Sequence, residues 1–320
     1  MTRFPHGLSS FGIPLLGSIP LVGVPNKNGK VWFVDQVLGN DGNSGQDPTA
    51  AFKTIQKAVN SAGNGTGDTI FVFPGTYAEN VVVDTKDYLA IVAAMVNGYA
   101  KPDIQPAAGK ALYVKASAGF VGYMLRFVAP AADTDVVLQE GNGFRLISCV
   151  FDGDPAMGAA KGLLRLKGNA LDDKHTASEG RILDCWFRNS NGVGIIFDAG
   201  DTPGNGVGCT DDYVERNIFQ GNVGADVATK DTSTPGPALY SARDVYILGN
   251  KFRSKNKATY IDMTTDNAGA AADQTGMIAD NDFASDNITV AGGAIKIVGT
   301  GFTAPFNRDT VGVRDLSAID

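Results

Sequence analysis

Four carboxylates stand close together in the chain, Asp184, Asp211, Asp212 and Glu215, and their type and spacing point most directly to chemistry. Two carboxyl groups held on one surface can divide the work of cleaving a glycosidic bond. One donates a proton to the leaving oxygen, and the other acts as nucleophile or base, with their separation setting the outcome. These four are the candidate acid–base residues. Little accompanies them. The chain holds two histidines, His6 and His175, so mechanisms built on a histidine cluster are excluded by count. His175, in LDDKHTASEG, reads as a solvated loop residue. Cys149, Cys185 and Cys209 lack CxxC spacing and make no disulfide framework; buried free thiols are expected. The loop LGNDGNSGQDP (38–48) is out of register with a D-x-[DN]-x-[DN]-G calcium loop and reads as a turn. No metal and no cofactor is expected.

Composition bounds the scaffold that must position these groups. The chain has 320 residues, 43% of them hydrophobic, with 40 glycines and a net charge of −7. Glycine, Asn and Asp between short apolar runs suit an all-β chain with many tight turns, because these residues tolerate left-handed backbone at low cost. An acidic chain without a basic block is not built for phosphate backbones, so no nucleic-acid partner is expected. The apolar opening, FGIPLLGSIPLVGVP (11–25), is broken by Pro14, Pro20 and Pro25 and does not read as a secretory signal. No run reaches the roughly 18 apolar residues of a membrane span. A soluble product of the cytoplasm is expected, without a membrane partner.

The organising feature is an internal repeat. Five segments align without gaps: FRLISCVF (144–151), GRILDCWF (180–187), DYVERNIF (212–219), VYILGNKF (245–252) and GMIADNDF (276–283). They end in Phe151, Phe187, Phe219, Phe252 and Phe283, at intervals of 36, 32, 33 and 31 residues. Two positions earlier stand Cys149, Cys185, Asn217, Asn250 and Asn281; five earlier, Leu146, Ile182, Val214, Ile247 and Ile278. A second strand follows each Phe, as in GLLRLKG (162–168) and GVGIIFDAG (192–200). One such coil cannot bury its own apolar side chains, whereas stacked coils pair at about 4.8 Å and superpose equivalent residues. The pattern predicts an aromatic column and an Asn ladder inside a solenoid, with the Asn residues taking left-handed geometry at a sharp turn. Asp184, Arg216 and Asp280 share the position three before the Phe, so they should face solvent on successive coils, as a charged outer face or as part of a site. Trp186 lies between two inward positions and reads as an outward platform or a residue packed under a loop.

Four regions follow. Residues 1–30 form an extended arm whose Phe4, Leu8, Phe11, Ile13, Leu15, Leu16, Ile19 and Leu21 need burial, against the chain's own domain or against another protein. Residues 31–66 supply an entry strand, a loop and a capping helix, with Phe52, Ile55, Ala58 and Val59 on one face at helical spacing. Residues 67–300 are the solenoid, and 301–320 a cap or contact tail.

Val245, Ile247, Asn250 and Phe252, a V-x-I-x-x-N-x-F pattern, resemble the coils of the pectate-lyase-like superfamily; FKTIQKAV…GDTIFVFPGTYAENVVV (52–83) is similar to its capped entry coil. The resemblance covers roughly residues 31–300. It implies an all-β, right-handed parallel β-helix with an N-terminal arm and a short capping α-helix, and is weak for activity because the scaffold hosts many functions. Hydrolases of this superfamily use grouped Asp with a His and a basic pair; Asp172-Asp173 and Asp211-Asp212 are present, but no SHG or RIK segment follows them. Its lyases use Asp-bound calcium with an Arg or Lys base. The opening MTRFPHGLSSFGIPLLGS resembles the N-termini of β-helical structural proteins of tailed bacteriophages, particularly those of capsid assembly. The expected function is a non-enzymatic virion protein, a homotrimeric decoration or cement protein on the capsid surface, bound to the major capsid protein through the arm. The alternative is a tailspike or tail fibre that binds or cleaves host surface polysaccharide.

Overall fold

The computed structural model describes residues 9–10, 13–14, 29–94, 101–130, 134–168, 176–200, 207–230, 240–254, 257–264, 274–284, 295–297, 301–310 and 312–314. Among them, the strands stack into three long sheets of ten, ten and eight strands. Sheet I runs from Val31–Val34 to Phe302–Thr303, sheet II from Thr76–Tyr77 to Val313–Arg314, and sheet III from Val81–Asp84 to Ile295–Ile297. All their pairings are parallel except the last of sheet II, where Val313–Arg314 folds back on Asn307–Arg308. One coil shows the plan: Arg181–Leu183 in sheet I, Trp186–Arg188 in sheet II, Val193–Asp198 in sheet III, then an outer strand Val207–Thr210 and the return to sheet I at Tyr213–Glu215. This is a parallel β-helix, and the twist of L-residue strands gives such crossovers a right hand.

Each aligned octapeptide therefore holds two strands rather than one. The break between them lies three residues before the Phe, where Ser148, Asp184, Arg216, Gly249 and Asp280 have φ between 53° and 64°. This corrects the expectation that the Asn residues take the left-handed conformation. The residue before each Asn bends the chain and points outward, and that bend turns the next side chain toward the axis.

Inside, the columns are continuous. Phe127, Phe151, Phe187, Phe219, Phe252 and Phe283 stack with centroid separations of 5.3, 4.4, 5.0, 5.0 and 4.6 Å. Leu146, Ile182, Val214, Ile247 and Ile278 stand in register on sheet I and are fully buried. In the third column Leu125, Cys149 and Cys185 give way to Asn217, Asn250, Asn281 and Asn307, all buried. Each Asn oxygen accepts the backbone N–H of the coil below: Asn217 from Cys185 (2.8 Å), Asn250 from Asn217 (2.8 Å), Asn281 from Asn250 (2.9 Å) and Asn307 from Asn281 (3.2 Å). Each amide donates in turn to a sheet I carbonyl, of Ile182, Val214, Ile247 or Ile278. The three cysteines are buried and free.

The N-terminal end is closed by the helix Ile55–Ser61, which places Ile55, Ala58 and Val59 against the core. Phe52 precedes the helix and bridges to Val34. Thr54 caps the helix by accepting from Lys57, and Glu79, from the first coil, accepts the N–H groups of Ile55 and Gln56 at 2.8 and 2.9 Å. The helix is thereby tied to the solenoid through its own orphan donors. Within residues 1–30, Ser9–Ser10 pairs antiparallel with Ile13–Pro14. Phe4, Leu8, Phe11, Leu15, Leu16, Ile19 and Leu21, and the side chain of Ile13, lie outside the described residues.

Candidate functional site

The parallel stack sorts the four candidate carboxylates onto different surfaces. Asp211 and Asp212 are neighbours in sequence but face opposite ways. Asp211 sits in a left-handed bend at the surface, φ 58°, while Asp212 is inside the solenoid at 0% exposure. Room for it exists because the coil below carries Gly180, where a Cβ would lie 2.7 Å from an Asp212 oxygen. The Gly180 N–H donates to Asp212 Oδ1 at 2.7 Å, and Oδ2 has no hydrogen-bond partner among the described residues. Burial pushes the Asp212 carboxyl well above the usual carboxylate range, with a small opposing pull from the Gly180 N–H.

That direction fixes a pH dependence. The native chain keeps a proton on Asp212 that the unfolded chain releases above pH ~3.9. The stabilising contribution is complete below that pH and is lost as pH rises through the higher native value. Asp212→Asn removes the ionisation while keeping the shape. It should match the parent near pH 4 and become relatively more stable toward pH 8, by about 1–3 kcal/mol, the scale of a buried group left without partners. Thermal melting of both proteins across that range checks it, and parallel curves would refute it.

Asp184 and Glu215 do come together, but around a cation. Arg216 donates Nε and Nη2 to Asp184 at 2.9 and 3.0 Å, and Nη1 to Glu215 at 3.3 Å. Asp184 and Arg216 lie on the exposed bend between sheets I and II, and Glu215 is the last residue of the sheet I strand. Asp211 lies four residues before Glu215, on the bend that precedes the strand Tyr213–Glu215. Asp280 shares the same bend two coils on, with Gly249 between. Asp172, Asp173, His6 and His175 lie outside the described residues. Among the described residues no group of three or more His, Cys, Asp or Glu could hold a metal.

Sheet II carries an outer charge network. Arg126 bridges Asp103 (3.0 Å) and Asp152 (2.6 Å), and Arg188 binds Asp152 at 2.9 Å. Burial alone would raise the Asp152 carboxyl, but the hydrogen bonds from Arg188 and Arg126 outweigh it and hold it low. Trp186 stands outward beside this network, half-buried between Val150 and Ile218, with the Arg188 guanidinium 4.5 Å from its ring centroid.

The outer face of sheet I is different in kind. The strand register makes two outward columns. One reads Ala90, Val121, Arg145, Arg181, Tyr213, Tyr246, Met277; the other reads Phe71, Val92, Tyr123, Ile147, Leu183, Glu215, Leu248, Ala279. From Val121 through Leu248 these residues are half-buried, apart from exposed Arg181. The Tyr213 and Tyr246 rings stack at 4.8 Å, and the Arg181 guanidinium lies 4.6 Å from the Tyr213 centroid. This apolar strip did not figure among the sequence candidates. Its signal was the second and fourth positions of the aligned octapeptides, where seven of the ten residues are apolar or aromatic on a face that a solvated strand would give to polar side chains.

No protein-family model matches the sequence, and no curated protein matches it. The structure is similar to pectate lyase Pel9A, with a TM-score of 0.50 and 12% identity over 90% of this chain and 82% of that one. It is also similar to a rhamnogalacturonan lyase (TM-score 0.48, 12% identity, 91% and 90% covered) and to ORF18 of Geobacillus virus E2 (TM-score 0.47, 12% identity, 81% and 56% covered). The likeness to the pectate lyase shows the fold: the chain is a pectate-lyase-like, right-handed parallel β-helix.

Proposed function

We propose that this chain is a non-enzymatic structural protein of a bacteriophage virion. In this reading it is a decoration or cement protein on the capsid surface, held to the major capsid protein by the arm of residues 1–30. The disposition of the acids carries the non-enzymatic part. Asp212 is turned into the core, and the guanidinium of Arg216 occupies the space between Asp184 and Glu215. The likeness of the opening residues to β-helical phage proteins supports the virion part. A rigid rod of stacked coils with an apolar arm at one end suits attachment, since each Å² of apolar arm surface buried is worth about 25 cal/mol.

Deleting residues 2–25 should abolish attachment and leave the solenoid folded. Electron microscopy of particles assembled with parent or truncated protein, beside circular dichroism of the truncated chain, checks both halves. Normal capsid decoration by the truncated protein would end the proposal. Density confined to the tail would instead favour a tailspike or tail fibre acting on host polysaccharide, a reading to which the outward Trp186 beside Arg188 lends support. Release of reducing ends from host glycan, lost in Asp184→Ala or Glu215→Ala, would establish that second reading.

A further inference from the structure

We propose that the corner between sheets II and III holds an amide-forming site, at which the Lys257 amine condenses with the Asn222 side chain while Asp226 carries the protons. The product is a covalent cross-link between two neighbouring coils of one chain, and it does not depend on what the rod attaches to. The freshly folded chain holds the ion pair of Lys257 with Asp226, and ageing converts it. Three observations carry this.

The first is convergence. Asn222 and Asp226 lie on the corner between Ile218–Gln220 and Val227–Lys230. Lys257 lies on the same corner one coil on, between Lys251–Phe252 and Ile261–Met263. A single oxygen, Asp226 Oδ1, touches both partners: Lys257 Nζ at 2.8 Å and Asn222 Nδ2 at 2.9 Å. The amine is thus held beside the carboxamide, and rotation about the last bonds of the lysine brings it to the roughly 3–3.5 Å of an attacking pair.

The second is burial. Asp226 and Asn222 are 0% and 4% exposed, and the Lys257 side chain 7%. The Tyr260 ring centroid stands 5.8 Å from the lysine nitrogen. Burial lowers the Lys257 ammonium and raises the Asp226 carboxyl. Both directions favour moving the proton from nitrogen to oxygen, which leaves the amine a free lone pair. The same burial keeps water from competing for the carboxamide carbon. Arg165, also buried between two acids, is permanently charged and offers no such amine.

The third is the bonding of the carboxamide. The Ser190 backbone N–H donates to Asn222 Oδ1 at 3.3 Å, the oxygen on which negative charge develops as an amine adds. The leaving nitrogen, Nδ2, already points its hydrogen at Asp226. Asp226 Oδ2 has no hydrogen-bond partner among the described residues, so it has room for a proton. The step balances without an oxidant. Lys257 Nζ adds to Asn222 Cγ, Asp226 gives its proton to Nδ2 and takes one from Nζ, and the Cγ–Nδ2 bond breaks. Ammonia leaves, an Nζ–Cγ amide remains, and Asp226 ends as it began.

Mass spectrometry of the full chain, freshly purified and after ageing, tests it. The aged parent should weigh one ammonia less than its sequence and melt higher than the fresh protein. A protease map should recover the peptides holding Asn222 and Lys257 joined to each other. Lys257→Arg keeps the cation and removes the nucleophile, so it should keep its full mass. Ammonia loss in that variant would mean that Asn222 cyclises on its own backbone, and would overturn the proposal. Asp226→Asn should slow the cross-link about a hundredfold, the low end of what a positioned acid–base group supplies. An aged parent still at its sequence mass, or a Lys257–Asp226 linkage formed with loss of water, refutes it equally. Should a variant fail to fold, the map of the parent decides.

Discussion

Lys257→Ala is expected to destabilise the solenoid by about 3–5 kcal/mol, although Lys257 is one of many lysines and sits outside the repeat motif. Its ammonium lies 2.8 Å from Asp226, with the two side chains 7% and 0% exposed. Asp226 also accepts from Asn222 Nδ2 at 2.9 Å. Burial raises the Asp226 carboxyl and lowers the Lys257 ammonium, and the mutual attraction opposes both shifts without cancelling either. A pair so placed contributes little relative to an apolar pair of the same shape. Removing one member, however, strands a charge in the interior. The single substitution should therefore be far worse than Asp226→Asn with Lys257→Met, which discards both charges and leaves Asn222 an oxygen to bind. Urea midpoints of the parent and the two variants measure this. Equal losses would show that the lysine stem, and not its charge, holds the coil.

The contrast between that pair and the aromatic column explains what the sequence discloses. The Phe column was legible because an interior column in a parallel stack needs one residue type at one position on every coil, and five copies of Phe at near-constant spacing have no other cause. The Asn ladder was legible for the same reason. The left-handed site was misassigned by one residue because two different properties meet at the bend. The inward amide needs Asn, whereas the bend itself accepts Ser148, Asp184, Arg216, Gly249 and Asp280 and so leaves no consensus. Asn307 continues the ladder on a coil where Asp309 follows two residues later and no Phe marks the register. Lys257 with Asp226, and Arg165 between Asp135 (2.9 Å) and Asp198 (2.6 Å), join positions on different coils that occur once each. No repetition announces them. The candidate acids had no such repetition behind them: Asp211 and Asp212 are neighbours in sequence, yet one lies on a surface bend and the other in the core, and residue type alone does not tell which of two adjacent acids faces outward.

Asn250→Leu should cost roughly 3–5 kcal/mol, and a graded series at this position can say why. Asn250 Oδ1 accepts from the Asn217 N–H at 2.8 Å and from Asn217 Nδ2 at 3.0 Å, while its own Nδ2 donates to the Val214 carbonyl at 2.8 Å and to Asn281 Oδ1 at 3.0 Å. Leucine fills the volume but orphans a buried N–H below and a buried carbonyl beside it, each worth about 1–3 kcal/mol. The chain itself shows an intermediate solution. Cys185 occupies the same column two coils earlier, and its thiol lies 3.3 Å from the Leu146 carbonyl, the counterpart of Val214. Asn250→Cys should thus keep a weak donor to Val214 while still abandoning the Asn217 N–H, and should fall between parent and Leu. Hydrogen exchange separates the two losses, because the Asn217 amide should lose protection in both variants while overall stability differs. If Cys and Leu prove equally destabilising, the carbonyl bond carries nothing and the ladder acts through the upward amide alone. If Leu proves neutral, the column is held by packing, and its change from Leu125 through Cys149 and Cys185 to Asn reflects volume rather than hydrogen bonding.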